Sequence, residues 1–150
     1  MWGWNLPELK NRILALDVGD KRIGVAVSDP FGFSGTPLGT YLNNKEFFKK
    51  LEEVINQYKP VKIVIGLPLT LSGEEGEQAR KTKNFAKKLQ KHFPNIPIEF
   101  EDERFTTDIA EERLSVLLKS KKKKKQKLDS ISAVVILESY LSRNPLWKIL

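Results

Sequence analysis

An α/β fold with a mixed sheet is what this sequence predicts, and three observations lead there. The chain opens on two β-type runs joined by a turn so short that they must pair as an antiparallel hairpin. Short apolar runs then alternate with amphipathic stretches of helical period, the pattern of βαβ units. The 150 residues, 40% hydrophobic and 30% charged, suit one folded core, so residues 1–150 are expected to form a single domain.

Each element follows from its own pattern. Arg12 to Val18 is a β-type run ending in Asp17-Val18, Gly19-Asp20-Lys21 is a tight turn, and Arg22 to Ser28 is a second strand. Gly32 to Tyr41, punctuated by Gly and Pro, fits a third and weaker strand. Asn43 or Asn44 can cap a helix through Tyr58, with Phe47, Leu51, Val54, Ile55 and Tyr58 on one stripe. Val61 to Ile65 is a short apolar strand of the kind covered on both faces. Gly66 to Gly76 reads as a loop and Glu77 to Phe93 as an amphipathic helix. A strand over Ile96 to Glu103 follows, then a helix over Thr106 to Leu118 capped by Thr107 or Asp108, and a last helix over Leu128 to Leu141.

Composition removes whole classes of chemistry. There is no Cys and only one His, His92. Disulfide scaffolds, thiolate metal sites, cysteine nucleophiles and Ser-His-Asp triads are therefore excluded or starved of parts. Catalysis must run on carboxylates, Lys, Arg, hydroxyls or backbone. The net charge is +7, and the nine residues 119–127 (KSKKKKKQK) hold seven Lys; removing those seven leaves 19 basic residues against 19 acidic ones. The whole excess sits in one loop, which points to a polyanionic partner or, more plainly, to a loop kept solvated by self-repulsion. No basic start followed by an apolar stretch marks a signal peptide, and no run approaches the ~20 apolar residues that span a bilayer. A cytoplasmic protein with no membrane partner is expected.

Three acidic features stand at element ends. Alternation puts Asp17 on the face of Ile13 and Ala15. It serves there either as a cap of the following turn or as a metal ligand at a strand end, where open α/β sheets bind ligands. Asp129 opens the last helix and shares a face with Ala133, Ile136 and Tyr140, so it is either an N-cap or a carboxylate aimed with the apolar stripe. In Glu99-Phe100-Glu101-Asp102-Glu103, the first two Glu read as a solvated edge. Asp102 and Glu103 lie at the strand end, and alternation alone does not say which points into a site. Hard oxygen ligands of this kind suit Mg²⁺ or Mn²⁺. Other features carry less. Gly19 to Gly24 has the glycine spacing of a phosphate loop, but Val25 and Ala26 stand where Lys and Ser/Thr are required. His92 is expected at the surface. Trp2, Trp4 and Trp147 fit packing of the chain ends or a subunit contact.

Four motifs in order carry a resemblance. They are residues 13–29 (ILALDVGDKRIGVAVSD), Val64-Ile65-Gly66-Leu67-Pro68 with Gly73, Asp102-Glu103-Arg104-Phe105-Thr106-Thr107, and Leu128-Asp129-Ser130-Ile131-Ser132-Ala133 leading to residues 136–141 (ILESYL). Over about residues 12–142 the chain resembles the YqgF (RuvX) family. The resemblance implies an RNase H-like fold: a five-stranded mixed sheet that opens with an antiparallel meander and has helices on both faces. It implies a nuclease, either of pre-16S ribosomal RNA or of Holliday junctions. It places catalytic, metal-holding carboxylates at Asp17, Glu103 and Asp129, with Asp102 as understudy to Glu103, and one or two Mg²⁺ or Mn²⁺ ions as cofactor. Phosphate contacts would then come from Lys21, Arg22, Arg80 and Arg104. Lys121, Lys122, Lys123, Lys124 and Lys125 would gather the phosphate backbone just before Asp129. The plainer role for Lys21, Arg22, Arg80 and Arg104 is a surface salt bridge of little worth, and for the Lys run a solvated linker between two helices.

The expected partner is nucleic acid, structured RNA ahead of branched DNA, with the protein a monomer or homodimer. A junction resolvase would use a two-fold dimer to cut symmetrically. A non-catalytic nucleic-acid-binding protein using the Lys run is the alternative from another class, and the presence of all three acids argues against it. An actin-like or sugar-kinase-like phosphate binder needs two such lobes, for which 150 residues leave no room.

Overall fold

In the computed structural model, which describes residues 11–70, 72–103 and 128–145, five strands form one sheet. β1 (Ile13–Val18), β2 (Arg22–Ser28) and β3 (Gly35–Leu42) form an antiparallel meander. β4 (Lys62–Leu67) and β5 (Ile98–Asp102) add to the other side of β1 in parallel, giving the order β3-β2-β1-β4-β5. The connections are α1 (Phe47–Tyr58) between β3 and β4, and α2 (Glu77–His92) between β4 and β5. A third helix, α3 (Leu128–Arg143), closes the described fold.

Alternation along the strands sorts the core into two layers. Leu14, Leu16, Ile23, Val25, Val27, Ile63 and Ile65 face α1 and α2, meeting Phe47, Leu51, Val54 and Leu89. The opposite residues Ile13, Ala15, Ala26 and Val64 face α3, meeting Ala133, Val134, Ile136, Leu137, Tyr140 and Leu141. Each fully buried Leu, Ile or Phe side chain contributes about 1.5–3 kcal/mol by leaving water. The stripe proposed for α1 is the buried one: Phe47, Leu51 and Val54 are inside. The helix stops at Lys59, whose φ of 50° leaves the helical region, just before Pro60.

Several boundaries differ from the sequence expectation, each for a local reason. α1 begins at Phe47, not at Asn43 or Asn44. The Asn44 side chain accepts the Glu46 N–H and forms a turn, while the Asn43 amide donates to the carbonyl of Gly19, so neither caps a helix. β3 starts at Gly35, three residues after Gly32, because Asp29 first organises residues 29–34 by accepting the N–H groups of Phe31, Phe33 and Ser34. β4 runs on through Gly66 and Leu67, which the sequence assigned to a loop. β5 starts at Ile98, since the Gln90 amide takes the carbonyls of Phe93 and Ile96 into the preceding turn. α3 runs two residues past Leu141. The expected helix over 106–118, the Lys run 119–127, Arg104 and the three Trp lie outside the described residues. Among those described, no helix is long and apolar enough to cross a membrane.

Candidate active site

The site forms where β1, β4 and β5 end together. Asp17 follows Leu16, which pairs with Ile65, so Asp17 and Gly66 stand one step further along neighbouring strands. Asp17 shares the face of Ile13 and Ala15, the α3 side of the sheet. Glu103 follows β5 directly, and its carboxyl lies over Gly66: a Cβ at Gly66 would sit 2.6 Å from Glu103 Oε1 and 2.5 Å from Ile136 Cδ1. A glycine inside an apolar strand marks such a close approach. Here it leaves the hollow that Glu103 occupies. Burial, with the negative charges of Asp17 and Asp102, pushes the Glu103 carboxyl up to about 7. Three acids thus act on one another at this edge, and Glu103 is the one under the helix.

α3 reaches the same edge. Lys62, at the start of β4, donates to the Tyr140 hydroxyl at 2.8 Å, while Ile136 covers Gly66 near the strand's end. α3 therefore runs antiparallel to β4. Asp129 lies seven residues before Ile136, about 10 Å further along the helix at 1.5 Å per residue. That carries the helix start past the carboxyl ends of the strands. The Asp129 side chain itself lies outside the described residues.

The turn after Asp17 is held from two sides. The Gly19 N–H donates to the Arg22 carbonyl at 2.8 Å, and a Cβ on Gly19 would meet that oxygen at 2.9 Å. From β3, the Asn43 amide donates to the Gly19 carbonyl and the Asn43 N–H to that of Lys21, both at 2.8 Å. From α2, Lys81 pairs with Asp20 at 3.4 Å. Lys21 and Arg22 are exposed in and beside this turn, and Arg80 is exposed in the first turn of α2. Lys21 and Arg22 thus flank the turn that follows Asp17, and Arg80 neighbours Lys81, which pairs with Asp20 of that turn. Asn43 and Lys81 are additions that the sequence did not suggest. An Asn directly after a strand was the available signal for the first.

The other acids of β5 both face α3. Glu99 stays exposed, as expected of an edge, whereas Glu101 does not. Glu101 is buried, accepts from Ser139 Oγ at 2.9 Å and pairs with Arg143. Glu99 accepts from the Tyr140 hydroxyl and pairs with Lys62 at 3.1 Å. The Tyr140 bond, working against burial, and then Lys62 hold the Glu99 carboxyl below its usual range. The chain between Gly66 and α2 is an internally bonded turn: Thr70 accepts from Gly73 and Glu74, and Lys83 pairs with Glu75.

The donor set fits a divalent cation. Asp17 and Glu103 bring carboxylate oxygens to one strand end, hard donors of the kind a divalent cation takes, and burial first, then the Asp17 and Asp102 charges, raises the Glu103 pKa. Among the described residues, no three acids or His form a metal-holding group by themselves. A third ligand would have to come from beyond them, and Asp129 lies in the first turn of α3, whose Ile136 covers Gly66.

Known proteins share both sequence and fold. The chain is 59% identical over 134 residues to a protein of Sulfurihydrogenibium sp. (strain YO3AOP1) named "Putative pre-16S rRNA nuclease", covering 89% of this chain and 91% of that one. A protein of the same name from Syntrophomonas wolfei is 40% identical over 141 residues, covering 91% and 98%. In structure, the chain is similar to T. thermophilus RuvC in complex with a Holliday junction substrate, with a TM-score of 0.62 at 12% identity over 90% of this chain and 96% of that one. A second Thermus thermophilus RuvC structure gives 0.58 at 10% identity, over 89% and 96%. The fold is accordingly RNase H-like. The family model for RuvX, described as Holliday junction resolvase, matches residues 11–143, and the chain belongs to that family.

Proposed function

We propose that this nuclease is a Mg²⁺- or Mn²⁺-dependent endonuclease of structured RNA that trims the 5′ end of pre-16S ribosomal RNA, with Asp17, Glu103 and Asp129 holding the metal. The observation that carries this is the Glu103 carboxyl set over Gly66, its pKa raised by burial and by Asp17 and Asp102. One or two bound ions would polarise the scissile phosphate, activate the attacking water and stabilise the departing 3′ oxygen. The chain's own part is placement. Gly66 lets Glu103 sit at the sheet end beside Asp17, Asn43 and Lys81 hold the turn that follows Asp17, and Lys21, Arg22 and Arg80 meet phosphates beside that turn. Arg104 and Lys121 to Lys125 add further cations from the segment between β5 and α3. The relatives' names favour the RNA substrate, and residues 1–150 act as one nuclease domain in the cytoplasm, where ribosomes are made.

The family description favours a second reading, cleavage of four-way DNA junctions by a two-fold dimer. The purified protein with Mn²⁺ is offered precursor 16S RNA and a synthetic junction. Cleavage of the RNA with a monomer in solution supports the first reading. Cleavage of the junction alone, by a dimer, overturns it. No metal-dependent cleavage of either makes the protein a binding module.

A further inference from the structure

On the face of the sheet away from α3, the outer sides of α1 and α2 enclose a cavity of about 420 Å³. It is lined by Lys45, Phe48, Lys49 and Ile55 with His92 and Phe93. Its size falls within the range of small-molecule sites, about 300–1,000 Å³. His92 is set with care for a surface residue. Its ring lies on Phe48 at 4.1 Å and 8° from parallel, and Phe48 in turn stacks on Phe85 at 5.6 Å and 18°. His92 Nδ1 meets the Lys88 carbonyl at 3.0 Å, which fixes the ring about its own axis. The residue is nonetheless exposed, while its ring packs on Phe48. Lys45, two residues before α1, and Lys49, in its first turn, bring two exposed cations to the cleft against the single acid Glu52.

A flat ring backed by two others, in a cleft also lined by two cations, is an arrangement that can hold a nucleobase and its phosphate. We propose that this cleft holds an unpaired nucleotide of the substrate strand, its base on the side of His92 away from Phe48 and its phosphate met by Lys45 and Lys49. The Asn56 side chain, also in the lining, offers an amide for a base edge. The cleft lies close to the site in the chain: Lys45 is two residues from Asn43, whose side chain holds the turn after Asp17. A single-stranded segment leaving the cut end could pass along α1 to reach it. The proposal rests on the nuclease reading only for the choice of ligand.

His92 is the only histidine of the chain, so its ring protons are a private reporter. The metal-free protein is titrated with octaadenylate RNA while those signals are followed by NMR, and affinity is read in parallel by fluorescence anisotropy. The ring signals are expected to move upfield and saturate with the RNA, and inorganic polyphosphate of equal charge is expected to leave them nearly unmoved. His92→Ala and the pair Lys45→Glu with Lys49→Glu should each weaken RNA binding about tenfold. Binding of the RNA with silent His92 signals overturns the proposal, as does an equal response to polyphosphate, unchanged affinity in both variants, or adenosine monophosphate binding as tightly as the strand. Metal-dependent cleavage by the wild type, with Asp17→Asn as the inactive control, separates the two inferences. Cleavage with a silent His92 removes the cleft alone, and a responsive His92 without cleavage removes the nuclease reading alone.

Discussion

Glu99, Glu101 and Glu103 stand on the same face of one strand and its continuation, under the same helix, yet they live in opposite surroundings. Glu99 meets Lys62 and Tyr140, and Glu101 meets Ser139 and Arg143. Glu103 meets Asp17 and Asp102. The first two carboxylates are tied to donors from α3 and β4 and fasten the sheet edge to the helix. The third is buried with two further carboxylates close enough to raise its pKa. Burial alone therefore does not mark a functional acid; the sign of its neighbours does.

The largest expected effect breaks the Glu103 side of this contrast. Asp17→Asn and Glu103→Gln should each reduce Mn²⁺-dependent cleavage by about a thousandfold or more, about 4 kcal/mol of transition-state stabilisation, and should remove the rise in melting temperature that Mn²⁺ gives the wild type. An unchanged rate in either variant would take that residue out of the site. Gly66→Ala comes next. Its new methyl collides with Ile136 and Glu103, so cleavage should fall about a hundredfold through a displaced carboxylate, with about 1–3 kcal/mol lost by overpacking. A crystal structure showing Glu103 unmoved would refute the account.

Arg143→Ala tests the other side. It leaves buried Glu101 without its guanidinium and should cost on the order of 2 kcal/mol in urea denaturation, with cleavage at 25 °C within about twofold of wild type. A loss of activity larger than the loss of stability would place the Glu101 seam in the site. The smallest effect is on pH dependence without metal, and its sign differs between the two regions. Glu103, raised from 4.5 to about 7 in the folded state, keeps its proton there while the unfolded chain has lost it. Stability therefore falls as pH rises through that window, and Glu103→Gln should flatten the fall. Glu99 is held below its usual range, so its contribution is present above about pH 4.5 and lost as pH drops. Glu99→Gln should flatten only that acid limb. The opposite assignment, seen in thermal melts from pH 3 to 8, would reverse the comparison.

What the sequence revealed followed from how local the determinants were. β1, β2 and their turn were legible nearly to the residue because a hairpin's register depends on residues next to one another. The face of Asp17 followed from alternation with Ile13 and Ala15. The burial of Glu101 and the pairing of Glu99 are not legible because the residues that meet them, Ser139, Arg143 and Tyr140, lie about forty positions away and carry no local mark. Gly66 was taken for the start of a loop, since a strand-interior glycine looks like punctuation until the carboxyl above it is known. Asn43 was read as a helix cap because Asn suits either role, and only the nearness of Gly19 decides between them. The stacking of His92 on Phe48 joins two helices whose partners no spacing could have paired.

α3 has a consequence for when the enzyme can act. It is the last described element in chain order, and it supplies half of the core layer that covers Ile13, Ala15, Ala26 and Val64. During synthesis, those residues and the acids at positions 17 and 103 leave the ribosome before that cover exists. A chain interrupted ahead of Leu128 would expose an apolar sheet face and lack the helix that completes the proposed metal site. The sheet that carries Asp17 and Glu103 is thus fully covered only once α3 has been made.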